Sequence, residues 1–288
     1  MFDDLQQSMP IQHLTTQDGV SVSMKRLDLV HPQISGNKFF KLKYTIQDAI
    51  KQNFSSILTF GGAYSNHILA TAYAAKHGGL KSIGVIRGEE LKYSPYNHTL
   101  AQASEYGMQF HFVSRAEYKH RHDPVYLEHL QQIYPDTYVI PEGGTNALAI
   151  QGCQDILSAS DLAEYDVICV AVGTGGTITG LIESSTPQHH ILGFSALKGD
   201  FLTHDVAALT SKTHWSITDQ YCFGGYAKSS NTLTAFIDAF EQRYHIPLEP
   251  IYTGKMMYGL FDLIKQSKFQ SGIRVLAIHS GGLQGRTA

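Results

Sequence analysis

The sequence has few cysteines, and they are not arranged for cross-linking. Cys153, Cys169 and Cys222 lie far apart and form no C-x-x-C pair. Three separated cysteines exclude a disulfide framework and fit a reducing compartment, where they serve as small core residues. The N-terminal segment Met-Phe-Asp-Asp-Leu is acidic and unlike a secretory signal, so the expected location is the cytoplasm.

Long apolar runs and blocks of like charge are also missing. The 22 Lys and Arg residues nearly balance the 25 Asp and Glu residues, which gives a formal net charge of −3. Without a basic face, neither nucleic acid nor an anionic membrane is an expected partner. No apolar segment has the length needed to span a bilayer. The 15 histidines are scattered without ligand spacing such as H-E-x-x-H, so no metal site is expected.

The chain does contain a regular alternation of short apolar strands and helices. Its 288 residues, 43% of them hydrophobic, are enough for a large core. Apolar periodicity predicts strands at 20–27, 56–60, 82–87, 109–113, 138–140, 167–172, 191–194 and 273–278. It predicts helices at 42–51, 66–77, 100–106, 125–133, 148–162, 232–244 and 256–264. Strands that are apolar on both faces and alternate with helices indicate an α/β fold with mainly parallel sheets.

Glycine clusters follow several predicted strands, at 61–62, 143–144, 173–176 and 281–282. In parallel α/β sheets, ligands bind beyond the carboxyl ends of the strands. The Gly-Thr-Gly-Gly-Thr segment at 173–177 lies between a strand and a helix start, where backbone N–H groups and two hydroxyls can converge on an anion. It lacks the last glycine of G-x-G-x-x-G and the Gly-Lys-Ser/Thr of a nucleotide loop, which favours the single phosphate of a cofactor. The alternative is an ordinary strand–helix turn.

Lys38 follows a Ser-Gly-Asn turn at the point where a loop becomes a helix, and Lys41 lies one helical step further on the same side. Partial burial beside the amides of a helix start lowers the pKa of a lysine amine. Such an amine is a nucleophile that forms Schiff bases. The alternative is a solvated lysine after a turn.

Three further segments carry polar side chains that suit a planar ring or a carboxylate. Ser65 and Asn66 open the helix predicted at 66–77, either as plain N-cap residues or as a carboxylate site. Tyr252 and Thr253 are predicted to end a strand just before the next helix, where Tyr252 can stack on a ring or transfer a proton. Thr253 and Ser280 are hydroxyls that can hydrogen-bond a ring nitrogen. Taken singly, these are typical core aromatics and turn residues.

Together and in order, the segments at 35–38, 61–67, 141–144, 173–177, 250–255 and 279–282 resemble one known family. The chain is identified as a member of the pyridoxal-phosphate enzymes of the 1-aminocyclopropane-1-carboxylate deaminase and D-cysteine desulfhydrase group, which have the tryptophan-synthase-β-like fold (fold type II). The resemblance covers about residues 20–285. It implies two α/β domains, a smaller one at 42–146 and a larger one at 1–41 and 147–288, with pyridoxal 5'-phosphate between them. It also implies a homodimer that acts on a small amino acid.

The resemblance assigns roles to individual residues. It implies that Lys38 is joined covalently to the cofactor and acts in catalysis, and that Asn66 bonds the hydroxyl oxygen of the ring. Thr253 faces the ring nitrogen, with Ser280 as the other nearby hydroxyl. The phosphate is held by Gly173, Thr174, Gly175, Gly176 and Thr177. The substrate carboxylate is received around Ser65, Asn66 and His67, and Tyr252, with Tyr226 as its partner, lies near the substrate.

Two positions bear on the substrate. Deaminases of the family carry Glu where this chain has Thr253 and Leu where it has Ser280, whereas desulfhydrases carry Thr at both. A glutamate keeps the ring nitrogen protonated and makes the ring a strong electron sink, while a hydroxyl gives a milder sink that is sufficient for loss of a β-thiol. The resemblance therefore favours β-elimination from D-cysteine or a related D-amino acid to pyruvate, ammonia and sulfide. The alternatives are ring-opening deamination of 1-aminocyclopropane-1-carboxylate to 2-oxobutanoate and ammonia, amino-acid racemisation, and cofactor binding without catalysis.

Overall fold

The structure is a computed structural model that describes residues 2–6 and 9–287. Its strands are β1 Ile11–Gln17, β2 Val20–Arg26, β3 Ser56–Gly61, β4 Lys81–Arg87, β5 Met108–Val113, β6 Thr137–Ile140, β7 Val167–Val172, β8 His190–Ser195, β9 Trp215–Thr218 and β10 Arg274–His279. Its helices are α1 Phe2–Leu5, α2 Asn37–Lys51, α3 Asn66–His77, α4 His98–Glu105, α5 Pro124–Ile133, α6 Ala147–Gln154, α7 Ala159–Glu164, α8 Gly176–Ser184, α9 Phe201–Ala207, α10 Asn231–Tyr244 and α11 Thr253–Lys265.

The chain forms two compact units. The small unit contains Lys38–Gly152 and the N-terminal residues up to Gln6, and the large unit contains the segment that ends at Asn37 and the chain from Cys153 onward. The two domains expected from the sequence, one at residues 42–146 and the other at residues 1–41 and 147–288, remain a prediction.

The small unit is built on a four-stranded parallel sheet in the order β5-β4-β3-β6. The central strand β3 is buried along its whole length, as expected for a strand covered by helices on both faces. Leu58, Phe60 and Val85 belong to one buried cluster, while Ile68 and Ile86 belong to another. The glycines at 61–62 and 143–144 follow the carboxyl ends of β3 and β6.

The large unit is built on a six-stranded sheet in the order β1-β2-β10-β7-β8-β9, in which only β1 runs antiparallel to its neighbour. Strand β7, Val-Ile-Cys-Val-Ala-Val, is buried throughout, because its β-branched and small residues suit a pleated surface with packed faces. Helix α11 packs into the same core through Met256, Met257 and Leu260. The segments at 173–176 and 281–282 follow β7 and β10.

Two predicted elements were wrong. In each case a side-chain carboxylate fixes the local backbone: Asp161 at the start of α7 and Glu249 at the start of α11. The helix predicted at 148–162 is two helices, α6 and α7, because Ser158 and Asp161 form a capping box that starts α7. Asp161 also forms a buried ion pair with Lys25. Tyr252 and Thr253 do not end a strand. Residues 245–252 are a loop, and Thr253 begins α11.

Four short elements were not predicted: β1, β9, α1 and α9. The two strands are the edges of the large sheet, and only one residue of β1 is buried. An edge strand that is largely exposed carries a weak apolar pattern, so periodicity does not detect it. Among the described residues, no helix is both long and apolar enough to cross a membrane.

Candidate functional site

The predicted site residues form two clusters, one within each unit. The lysine cluster in the small unit comprises Lys38 and Lys41 of α2, residues 65–67 at the start of α3, and residues 143–145 after β6. The glycine-loop cluster in the large unit comprises residues 35–37, 173–177, 252–253 and 280–282, together with Tyr226.

Lys38 lies in the first turn of α2, so the predicted position at a loop-to-helix junction is confirmed. The side chain is half-buried. One turn further, Lys41 is buried, and its Nζ donates to the carbonyl oxygen of Gly143 at 2.8 Å and to Thr145 Oγ1 at 3.0 Å. These bonds fix the first turn of α2 to the segment that follows β6.

Helix α3 begins at Asn66, as predicted, and Ser65 is its N-cap residue. The Ser65 hydroxyl oxygen accepts a hydrogen bond from the N–H of Ile68 at 3.3 Å. The first backbone N–H groups of a helix have no partner inside it and can bind an anion. Asn66 Oδ1 is buried and, among the described residues, has no hydrogen-bond partner. A buried polar atom without a partner points to a ligand that would complete its bonding.

The hydrogen bonds of His67 assign its tautomer. The Thr59 hydroxyl donates its proton to the carbonyl oxygen of Ile140 at 2.9 Å, so at 2.8 Å from His67 Nε2 it accepts the proton of that nitrogen. Nδ1 is therefore unprotonated, and within the described parts of the chain it has no hydrogen-bond partner. Burial, with the nearby charges of Lys38 and Lys41, holds the pKa of His67 well below its usual range. What the residue offers a carboxylate is its backbone N–H group.

The glycine loop of the large unit joins β7 to α8. Gly175 is the N-cap residue of α8 with φ of +80°, a conformation that L side chains rarely adopt. The loop thus presents the amides of a helix start to an anion. Asn37 Nδ2 donates to Thr177 Oγ1 at 2.8 Å. Since Thr177 accepts this bond, its own hydroxyl proton remains a donor.

Residues 35–37 lie directly against residues 280–282. The Asn37 N–H donates to the carbonyl oxygen of Ser280 at 2.9 Å, and the Gly282 N–H donates to Ser35 Oγ at 3.1 Å. A Cβ on Gly36 would lie 1.7 Å from the Ser280 oxygen, so only glycine fits this close approach. Residues 35–37 therefore contact two segments that are distant in the sequence: residues 280–282 and, through Asn37, the glycine loop at 173–177.

Tyr252 and Tyr226 face each other beside the glycine loop. Their ring centroids are 6.2 Å apart with an interplanar angle of 65°. A Cβ on Gly173 would lie 3.0 Å from Tyr252 Cε1, so the tyrosine ring packs against the first residue of the loop. Tyr226 remains 45% exposed and is the more accessible of the two.

Thr253 and Ser280, the two candidate hydroxyls for a ring nitrogen, differ in their bonding. Thr253 has no exposed surface, and its Oγ1 accepts from the N–H of Glu249 and donates to Glu249 Oε1, both at 3.1 Å. The Ser280 side chain forms no hydrogen bond to any of the described residues. Thr253 therefore already has a partner for its proton, whereas the Ser280 hydroxyl is available to a ligand.

Glu249 is the buried carboxylate that fixes the start of α11. It accepts hydrogen bonds from the backbone N–H groups of Ile251, Tyr252 and Thr253 at 2.7–2.8 Å. Burial raises the pKa of Glu249, and these N–H donors oppose that rise. No role was predicted from the sequence for Glu249, Lys41 or the buried Lys255. The sequence pattern that could have identified these residues is a charged residue within, or just before, the mainly apolar start of a helix.

No group of three or more His, Cys, Asp or Glu side chains that could hold a metal ion occurs within residues 2–6 and 9–287. The small unit instead offers the Lys38 amine and the amides at the start of α3, and the large unit offers the amides at the start of α8 and hydroxyls. These groups suit covalent attachment of an aldehyde and the binding of a phosphate and a carboxylate.

Comparison with known proteins gives consistent matches over nearly the whole chain. The profile of the family described as "Pyridoxal-phosphate dependent enzyme" matches residues 6–281. A putative 1-aminocyclopropane-1-carboxylate deaminase of Pyrococcus horikoshii is 31% identical, with 96% of this chain and 90% of the relative covered. A D-cysteine desulfhydrase of Klebsiella pneumoniae is 29% identical, with 94% and 90% covered. The crystal structure of an ACC deaminase homologue, 28% identical, superposes with a TM-score of 0.80 over 98% of this chain and 91% of that chain.

Proposed function

Because this chain belongs to the family of pyridoxal-phosphate-dependent enzymes, we propose that it is a lyase that removes the β-substituent of a small amino acid. D-Cysteine or a related D-amino acid is the proposed substrate, and pyruvate, ammonia and sulfide are the products. The relatives carry both deaminase and desulfhydrase names, so the substrate is argued from the residues of this chain.

Both clusters suit the cofactor of the family. In the large unit, the amides of residues 174–177 and the Thr177 hydroxyl proton form a donor set for one phosphate group. In the small unit, Lys38 provides the amine that binds the aldehyde carbon. Asn66 has a buried amide oxygen without a partner among the described residues, and its side chain is proposed to bond the ring hydroxyl.

One observation carries the proposal. Asn37 bonds Thr177 of the glycine loop, and the next residue in the chain is Lys38. Lys38 is therefore covalently linked to a residue whose side chain is bonded to the loop. We assign Lys38 as the covalent attachment point of the cofactor and residues 173–177 as the site of its phosphate.

Bound pyridoxal phosphate supplies an electron sink for the negative charge that develops at the substrate Cα. The chain supplies the remaining functions. The N–H groups at the start of α3, with the Ser65 hydroxyl, bind and orient the substrate carboxylate. Lys38 would hold the cofactor covalently, and its Nζ would accept the Cα proton of the substrate. Tyr252, with Tyr226 beside it, is proposed to return a proton to the leaving sulfur.

Thr253 and Ser280 favour desulfhydrase chemistry over ring opening. Neither residue is a carboxylic acid, so neither provides a carboxylate that would hold the ring nitrogen protonated. Since the Thr253 hydroxyl is engaged by Glu249, we propose that Ser280, rather than Thr253, bonds the ring nitrogen. A hydroxyl at this position gives an electron sink sufficient for expelling a thiolate.

The second candidate function is deamination of 1-aminocyclopropane-1-carboxylate. It is supported by the name of the Pyrococcus relative, and the residues at positions 253 and 280 argue against it. A homodimer and a cytoplasmic location also remain proposals.

A substrate panel tests the function. Purified holoenzyme is incubated with D-cysteine, L-cysteine, D-serine and 1-aminocyclopropane-1-carboxylate, while sulfide, ammonia and keto acids are measured. The proposal expects the fastest turnover with D-cysteine. Equal rates for the two cysteine enantiomers would remove the assignment of chirality. Formation of 2-oxobutanoate as the fastest reaction would establish the second candidate.

A further inference from the structure

A segment at residues 221–226, here called the tyrosine segment, lies along α11 of the large unit. Tyr221 OH donates to Asp262 Oδ2 at 2.9 Å. Further along the segment, the ring centroids of Phe223 and Tyr258 are 5.1 Å apart, and those of Tyr226 and Tyr252 are 6.2 Å apart. Successive residues of the segment thus meet positions progressively nearer the N-terminus of α11. The segment ends with Tyr226 beside Tyr252.

Lys255, in the first turn of α11, holds the middle of this segment. Its side chain is 1% exposed, and Nζ donates to the carbonyl oxygens of Cys222 and Gly225, both at 2.8 Å. These two carbonyls lie on either side of Phe223 and Gly224. The amine therefore ties both ends of the turn that precedes Tyr226.

Burying a lysine amine in the first turn of a helix is energetically unfavourable. Burial lowers the pKa of the Lys255 amine, and the positive end of a helix also disfavours a cation. The backbone of the segment shows what the amine adds. Phe223, Gly224 and Gly225 all have positive φ, so the turn belongs to no helix or strand. The carbonyl oxygens of Cys222 and Gly225 each accept one backbone N–H, from Gly225 at 3.0 Å and from Lys228 at 3.1 Å, and Lys255 gives each a second donor that ties the turn to α11.

We propose that Lys255 is a positioning residue that fixes Tyr226 against Tyr252. The significance for catalysis rests on the proposed function, in which the two tyrosines act on the substrate. The structural part of the proposal concerns only the large unit and is testable in protein without cofactor.

The first test measures the tyrosine segment directly. In cofactor-free Lys255→Met, amide hydrogen exchange at residues 222–228 and chymotrypsin cleavage after Phe223 or Tyr226 should each become roughly five- to tenfold faster. Lys265→Met, at the exposed end of the same helix, is the matched control and should leave both rates unchanged. If the methionine variant folds poorly, Lys255→Gln takes its place. Because glutamine keeps N–H donors, its exchange and cleavage rates should lie between those of the wild type and those expected for Lys255→Met. Unchanged exchange at 222–228, or an equal increase over all of α11, would overturn the proposal.

The second test asks whether Lys255 acts through Tyr226. In holoenzyme, Lys255→Met and Tyr226→Ala should each reduce kcat/KM, and the double variant should be no worse than Tyr226→Ala alone. Additive losses would contradict positioning through Tyr226. The two proposals fail separately. Retention of covalently bound cofactor by Lys38→Ala would remove the proposed function, while the exchange result on cofactor-free protein would still stand.

Discussion

The two units use their polar side chains differently. In the small unit, Asn66 Oδ1 and His67 Nδ1 are buried and have no hydrogen-bond partner among the described residues. In the large unit, Glu249 and Lys255 are just as buried, yet Glu249 accepts three backbone hydrogen bonds and Lys255 donates two, all at 2.7–2.8 Å. A protein keeps a buried polar atom without a partner only at a cost in stability. These two buried atoms of the small unit are thus available to a ligand. Glu249 and Lys255 of the large unit instead hold loops in place, as Lys41 does in the small unit.

The largest effect is expected at Lys38. Lys38→Ala should abolish the absorbance of covalently bound cofactor and lower kcat by ~10³-fold or more, because both the attachment point and the proton acceptor are lost. Absorption spectra and sulfide release measure the two losses. Lys43→Ala, on the same helix, is the control and should remain yellow and active. A yellow Lys38→Ala protein would show that Lys38 is not the attachment point.

The second largest effect is expected in the glycine loop of the large unit. Gly175→Ala introduces a Cβ at a φ of +80° and 3.0 Å from Val206 Cγ2. We expect cofactor affinity to fall roughly tenfold or more, which corresponds to about 1.4 kcal/mol. Fluorescence titration of cofactor-free protein measures this.

Gly272→Ala is the matched control for this prediction, because Gly272 also has positive φ, +93°, but has open space around it. Both variants should lose stability, by about 1 kcal/mol, from backbone strain. Only Gly175→Ala should lose cofactor affinity. Equal affinities in the two variants would mean that the loop is an ordinary strand–helix turn.

Thr253 and Ser280 should respond in opposite ways. Thr253→Val removes two hydrogen bonds to buried Glu249 and should lower the free energy of unfolding by about 1–3 kcal/mol. Ser280→Ala breaks no side-chain hydrogen bond to the described residues, so it should leave stability nearly unchanged while altering the cofactor absorption and kcat. Urea denaturation and spectra of the loaded protein separate the two effects. A spectral change in Thr253→Val without loss of stability would indicate that Thr253, and not Ser280, bonds the ring nitrogen.

The smallest effect concerns the pH dependence of the small unit. The native pKa of His67 is lowered, mainly by burial, so below about pH 6.5 the unfolded chain binds a proton that the folded chain does not. The stability from His67 is therefore present above about pH 6.5 and is lost as pH falls towards the lowered native pKa. The loss amounts to as much as about 1.4 kcal/mol per pH unit.

In His67→Gln, the free energy of unfolding should decline less steeply between pH 7 and pH 5 than in the wild type. His129→Gln, an exposed position in the same unit, is the control and should decline like the wild type. Parallel curves for His67→Gln and the wild type would show that the buried imidazole is protonated in the folded protein.

Much of the fold could be predicted from sequence because its signals are local. The bounds of α3 and β7 match their predictions residue for residue, since Ser65 is a strong N-cap residue and β7 is an unbroken apolar strand between turns. The α/β fold, the pyridoxal-phosphate cofactor and the enzyme family are confirmed by the family match and the structural neighbours. The roles of the individual site residues remain predictions.

What tertiary structure decided depends on partners distant in sequence. The break between α6 and α7 involves Asp161, whose buried ionic partner is Lys25, 136 positions away. The choice between Thr253 and Ser280 follows from burial and from the carboxylate of Glu249, and the role of Lys255 follows from carbonyls 30 and 33 residues earlier. Residue type and spacing determined which groups can carry the chemistry. Only packing decided which of them are already bonded, because hydrogen-bond partners are assigned by the folded chain and not by local pattern.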